Sequence, residues 1–169
     1  RLTDGDLSAN TPVWSPDGER LAFLGGDPVN WCIPTQVFLY EEGEYASLTA
    51  DLDRTVARGG APVWADDETL YCLFADEART RLMRVDAGFD AVDPDAAGGD
   101  AHAAERVFEA QGDERAMGAF DLSADGGRAG FVFSHPSEGQ DVYALETADI
   151  DAAHEDAGAS LARLSAVNA

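Results

Sequence analysis

Short apolar runs, each closed by turn-forming residues, recur along the whole 169-residue chain. Pro12-Val13-Trp14 reads as a short strand and leads into Ser15-Pro16-Asp17-Gly18, where Pro fixes φ, Asp offers a local acceptor and Gly allows positive φ. The next run, Arg20 to Leu24, is almost continuously apolar, the pattern of a strand covered on both faces. Gln36 to Tyr40 and Tyr45 to Thr49 supply a third and a fourth strand. The same set is predicted at Pro62 to Ala65, Thr69 to Phe74, Arg81 to Asp86 and Glu105 to Glu109. It is predicted again at Phe120 to Ser123, Arg128 to Ser134, Asp141 to Glu146 and Leu161 to Ser165. Ala87 to Ala104, rich in Ala, Gly and Asp, has no strand pattern and is expected to form a long connection.

The sets are copies of one another. TPVWSPDGERLAFLG (Thr11 to Gly25) returns as APVWADDETLYCLFA (Ala61 to Ala75) and more faintly as AFDLSADGGRAGFVF (Ala119 to Phe133). Trp14, Trp64 and Leu122 hold the same place, at spacings of 50 and then 58 residues. A repeat of that length built only of strands predicts an all-β fold, a partial β-propeller of three four-stranded antiparallel blades. Residues 11–50, 61–110 and 119–166 are the expected blades. Residues 1–10 are expected to close a preceding blade, since Arg1-Leu2-Thr3 resembles Ser47-Leu48-Thr49 and Arg163-Leu164-Ser165. Closed propellers need about 4 to 8 blades, so two blade faces should be left apolar and open, inviting a homo-oligomer through them. The start at Arg1, with no initiator Met and no basic-then-apolar leader, is read as a piece of a longer chain.

Charge sharpens the picture. Acidic residues number 33 against 11 basic ones, all of them Arg, for a net charge of −22. Nucleic acid and anionic membrane surfaces both require cationic patches and are excluded as partners on this ground. The composition suits a salt-rich cytoplasm, where a Debye length of about 3 Å at 1 M screens the self-repulsion. No apolar run approaches the length of a membrane span. Cys32 and Cys72 form no Cys-x-x-Cys or Cys/His cluster; Cys72 is expected in the core and Cys32 in a loop.

PVWSPDGERLAFLG, followed by a strand such as QVFLY and then SLT, resembles the repeat of TolB-type propellers. It is most similar to the propeller domain of prolyl oligopeptidase-type serine peptidases, in the acylaminoacyl-peptidase and dipeptidyl-peptidase branch. The resemblance implies a non-catalytic module that gates and positions short peptide substrates, with an α/β-hydrolase catalytic domain in the same parent chain as its partner. It implies no cofactor, and the catalytic part of the family pattern is not among these residues. The alternative it leaves open is a TolB-like protein-binding scaffold without enzyme activity. The repeat departs from the pattern at Ala65-Asp66-Asp67-Glu68, which lacks Pro and Gly and is expected to make a weaker turn.

Candidate chemistry is sparse. Gly158-Ala159-Ser160-Leu161-Ala162 approaches a nucleophile elbow, but only nine residues follow Ser160 and none is Asp or His. His102, His135 and His154 stand apart and read as loop histidines, with His135 the best placed for binding because Pro136 and Gly139 keep its loop compact. Pairs such as Asp4/Asp6, Asp51/Asp53, Asp93/Asp95 and Asp149/Asp151 lack the spacing of a calcium loop, so no metal site is expected. Trp14 and Trp64 are expected in the core, and Trp31 tucked onto its own blade. The path of a meander sorts its connections onto two rims. One rim gathers Arg54, Arg58, Arg79, Arg115, His135 and Trp31, the expected binding or interdomain contacts; the other, Ala87 to Ala104 and Thr147 to Ser160, is acidic without Arg.

Overall fold

The computed structural model describes residues 2–3, 5, 7–30, 32–88, 104–106, 116–135, 137–150 and 161–165, with backbone alone at 104–106, 135 and 138. Its elements are thirteen strands: β1 (Ser8–Trp14), β2 (Leu21–Gly26), β3 (Gln36–Glu41), β4 (Glu44–Ser47), β5 (Thr55–Val56), β6 (Val63–Trp64), β7 (Thr69–Asp76), β8 (Arg79–Asp86), β9 (Ala104–Arg106), β10 (Ala116–Leu122), β11 (Arg128–His135), β12 (Glu138–Glu146) and β13 (Ala162–Arg163). Antiparallel pairing in chain order makes three sheets, β1-β2-β3-β4, then β5 and β6 both beside β7 with β8 and β9 following, then β10-β11-β12-β13. With β5 and β6 counted as halves of one innermost strand, this is the expected all-β partial propeller of three four-stranded blades.

The turn chemistry repeats to the atom. After β1, the N–H groups of Ser15 and Gly18 donate to Arg20 O and Ser15 O, both at 2.9 Å. Arg20 N–H donates to Ser15 Oγ at 2.9 Å, and the Ser15 hydroxyl donates to Asp17 Oδ1 at 2.5 Å. After β10 the same four bonds join Ser123, Asp125, Gly126 and Arg128 at 2.8, 2.8, 2.9 and 2.6 Å. The serine hydroxyl, followed by the N–H of Glu19 or Gly127, holds the Asp17 and Asp125 carboxyls below their ordinary 3.8. A depressed folded value means that the turn's contribution is present above the unfolded pKa and is lost as pH falls through the folded one. Ser15→Ala with Ser123→Ala should therefore raise both carboxyl titrations toward 3.8, read by carboxyl-carbon NMR; unmoved titrations would contradict this. The second blade turns differently: Ala65 N–H reaches Thr69 O at 2.9 Å, and Asp66 Oδ1 accepts Glu68 N–H at 2.9 Å.

Alternation along each second strand explains its continuous apolarity. Leu70, Cys72 and Phe74 of β7 face the first blade and share a core with Ala22, Leu24, Val37, Leu39 and Leu48. Tyr71 and Leu73 face the third blade and pack with Ala129, Phe131 and Phe133. Both faces of the second blade are thus covered. Burial pushes the Cys72 thiol up to about 12, whereas Cys32 is exposed. A disulfide exchange reagent should label Cys32 in the folded chain and reach Cys72 only after denaturation; labelling of both in the native state would disprove this.

The structure corrects several expectations. Trp64 is partly buried, with its indole N–H donating to Val13 O at 3.2 Å, but Trp14 is 60% exposed, not core. The two occupy one repeat position; only Trp64 has a preceding blade among the described residues to pack on. The innermost strands start earlier than predicted, at Ser8 and Ala116, and each carries an irregularity. Register shifts fall between Asn10 and Val13 in β1 and between Met117 and Ala119 in β10, and residues 57–62 separate β5 from β6. Such bulges bend and twist a strand locally. The connections predicted at Ala75 to Thr80 and His135 to Gln140 are shorter, since β7, β8, β11 and β12 extend into them. Glu77 and Ala78 take φ of 49° and 63°, the hand that lets a two-residue turn join β7 to β8. Residues 89–103 of the predicted long connection lie outside the described residues, as does the Ser160 near-elbow.

Candidate functional site

Two features of the Arg-bearing rim stand out, and both arise at the junction of the first and second blades. The first is a charge cluster at the end of β7. Asp76 is the last residue of that strand, and its carboxylate is almost fully buried. Arg54, arriving from the connection after β4, donates through Nε to Asp76 Oδ1 at 2.5 Å, and Arg81 on β8 lies 3.5 Å from Oδ2. Arg81 also approaches Glu77 at 3.8 Å. The Asp76 carboxylate, by hydrogen bond and then by charge, lifts the Arg54 guanidinium pKa above its ordinary range. The cluster is a clamp that ties the inter-blade connection to the β7–β8 hairpin.

The second feature is a cleft of about 270 Å³ beside the broken innermost strand, with Asn10, Thr11, Thr35, Arg58 and Gly60 among its walls. Ala57 N–H continues the pairing of β5 by donating to Leu73 O at 2.8 Å, and Gly60 N–H then folds back to Ala57 O at 2.8 Å. A Cβ on Gly60 would sit 3.0 Å from both of those carbonyl oxygens, so any other residue there would press on the paired backbone of β7 and of the loop itself. Thr11 has φ of 51°, a conformation costly for a β-branched residue, at the bulge that forms the opposite wall. Arg58 is exposed, and among the described residues no acidic side chain pairs with it. In a chain of net charge −22, a guanidinium without an acidic partner among the described residues, in a cleft that Thr11 and Thr35 also line, is suited to an anionic group such as a carboxylate.

Of the residues singled out from the sequence, Arg54 and Arg58 are thus brought to this junction by different routes, one clamped and one open. Arg79 opens β8 opposite Asp76, half-buried in the same hairpin. His135 ends β11 with its backbone paired to Glu138; its side chain, together with Trp31 and Arg115, lies outside the described residues. Sequence reasoning missed Asp76 and Arg81. Their signal was the separation of Asp76 and Arg81 by a short hairpin, which sets an acid and a base on one sheet end. No group of three or more metal-ligating side chains occurs among the described residues. No helix among them is long and apolar enough to cross a membrane.

Sequence comparison found no match among protein-family profiles or curated proteins. Structural comparison did find relatives. TolB from Acinetobacter baumannii matches with a TM-score of 0.64 at 15% identity, over 97% of this chain and 34% of TolB. A puromycin-hydrolyzing peptidase of Mycobacterium tuberculosis matches with a TM-score of 0.65 at 18% identity, over 98% of this chain and 23% of the peptidase. The β-propeller domain of the Trilobed protease from Pyrococcus furiosus, described as having an open velcro topology, matches with a TM-score of 0.58 at 12% identity, over 90% of this chain and 38% of that one. The fold is that of TolB-like and peptidase propellers, and the chain spans about a third of TolB and about a quarter of the puromycin-hydrolyzing peptidase.

Proposed function

We propose that this chain is the non-catalytic propeller portion of a cytoplasmic serine peptidase of the prolyl oligopeptidase type, holding short peptides for a hydrolase domain elsewhere in the parent protein. The carrying observation is the cleft with its unpaired Arg58, set in a fold shared with peptidase propellers. Arg58 would take the carboxylate of a peptide, and Thr11 and Thr35 would offer hydroxyls beside it. The clamp of Arg54 with Asp76 would hold the same rim in shape against the partner domain. Acyl transfer itself would occur on a serine outside these residues.

Two measurements test this reading. The reading frame, followed past Ala169, should encode a Gly-x-Ser-x-Gly elbow with Asp and then His after it; a frame without them removes the peptidase. In the full-length protein, Arg58→Gln should raise KM for a substrate with a free C-terminal carboxylate by roughly tenfold, the weight of about 1.4 kcal/mol. The amidated substrate should be unaffected, and Asp93→Ala with Asp95→Ala, in the acidic stretch of the sequence after β8, should change neither. Equal losses for both substrates would overturn the assignment of Arg58. The similarity to TolB supports a second reading, a scaffold that docks a protein partner on the same rim.

A further inference from the structure

The cleft that holds Arg58 has a second side, and its chemistry is apolar. Leu24 of β2 and Val56 of β5 line it beside Ala57 and Ala61, and the first two are buried members of one core. That side of the cleft is therefore the surface of packed hydrocarbon.

Its room comes from the loop between β5 and β6. Residues 57–61 read Ala-Arg-Gly-Gly-Ala, so apart from Arg58 none carries more than a methyl group. Gly60 N–H closes the turn on Ala57 O, and Gly59 takes φ of 83°, a conformation that glycine adopts freely. The two walls are also tied to each other. Val56 N–H donates to Thr35 O at 2.9 Å, and Thr35 N–H to Thr55 Oγ1 at 3.0 Å. The cleft is thus pre-formed, and both of its walls come from blades whose junction lies inside the chain.

A ligand has to suit both sides at once. An inorganic anion would pair with Arg58 and leave the apolar side wet, whereas a plain hydrocarbon would make no use of the guanidinium. A volume of about 270 Å³ is also below the roughly 300–1,000 Å³ of pockets that enclose drug-sized ligands. It suits the end of a chain. We propose, resting on the reading of Arg58 as a carboxylate site, that the cleft recognises the last residue of a peptide and selects an aliphatic one. The carboxylate lies on Arg58 and the aliphatic side chain against Leu24 and Val56. Asn10, Thr11 and Thr35, on the polar side, offer hydrogen bonds to the last amide.

Equilibrium binding of N-acetyl amino acids to the full-length protein tests this, since each carries one side chain, one amide and one carboxylate. The portion of binding that Arg58→Gln removes belongs to the cleft. In that portion N-acetyl-leucine should bind about tenfold more tightly than N-acetylserine, the effect of burying part of an aliphatic side chain. Isocaproate, with the same carboxylate and side chain but no amide, should bind more weakly than N-acetyl-leucine. Ala61→Leu, at an exposed position of the wall, should narrow the apolar side and shift the preference from leucine to alanine. Arg58-dependent binding that ignores the side chain, that is equal for isocaproate, or whose preference Ala61→Leu leaves unchanged overturns the aliphatic peptide end while the carboxylate reading stands. Absence of any Arg58-dependent binding overturns both.

Discussion

Asp76→Ala should lower the stability of the chain by about 3–5 kcal/mol, the cost of breaking a buried ion pair by removing one partner. Arg81 is the charge at issue. Its side chain is buried, its guanidinium lies 3.5 Å from Asp76, and its second acidic neighbour, Glu77, is mostly exposed. For a domain of this size the thermal midpoint should fall by roughly 10 °C or more. Arg54→Ala removes a further partner of the same carboxylate, but Arg54 is 40% exposed, and solvent screening holds its cost to about 1 kcal/mol or less. A thermal melt of both variants decides between a buried clamp and a surface contact. Equal and small shifts would show that Asp76 is dispensable and that Arg81 finds its stabilisation elsewhere.

Raising salt from about 0.1 M to 1 M, which shortens the Debye length from roughly 10 Å to 3 Å, should raise the melting midpoint by on the order of 10 °C, about 3 kcal/mol at this size. The cause is the net charge of −22 with no lysine. The few ion pairs at the rim are weakened by the same screening, but the partly buried Arg54 with Asp76 much less than the surface repulsion. Sodium chloride and sodium sulfate compared at equal ionic strength separate screening from the general strengthening of apolar burial by sulfate. Equal midpoints in the two salts identify screening; a midpoint flat in chloride refutes the charge argument.

Much of the architecture was legible in the chain because a blade is a local object. The serine turns close within a few residues, so Ser15-Pro16-Asp17-Gly18 and Ser123-Ala124-Asp125-Gly126 specify their own hydrogen bonds wherever they stand. The closing Thr49 and Ser165 hydroxyls likewise accept the N–H of Val37 at 3.0 Å and of Val142 at 2.8 Å, a bond made within each blade. The candidate site was legible only in part. Arg54 and Arg58 were visible as the arginines of one rim, but the cleft depends on the break in the second blade's innermost strand meeting the bulge at Thr11, two irregularities that no local pattern announces.

Sequence by itself thus determined the strand order, the turn bonds and the blade repeat, since each depends on neighbours a few residues away and on alternation along a strand. Tertiary structure alone decided which member of each repeated pair is buried. Trp64 is covered and Trp14 is not; Leu48 is covered and Leu164 is not. The side chains at each repeated place are of the same type. Burial is set by the blade that lies alongside, whose residues come from some 50 positions along the chain, so identical motifs acquire different energies according to what the fold places against them.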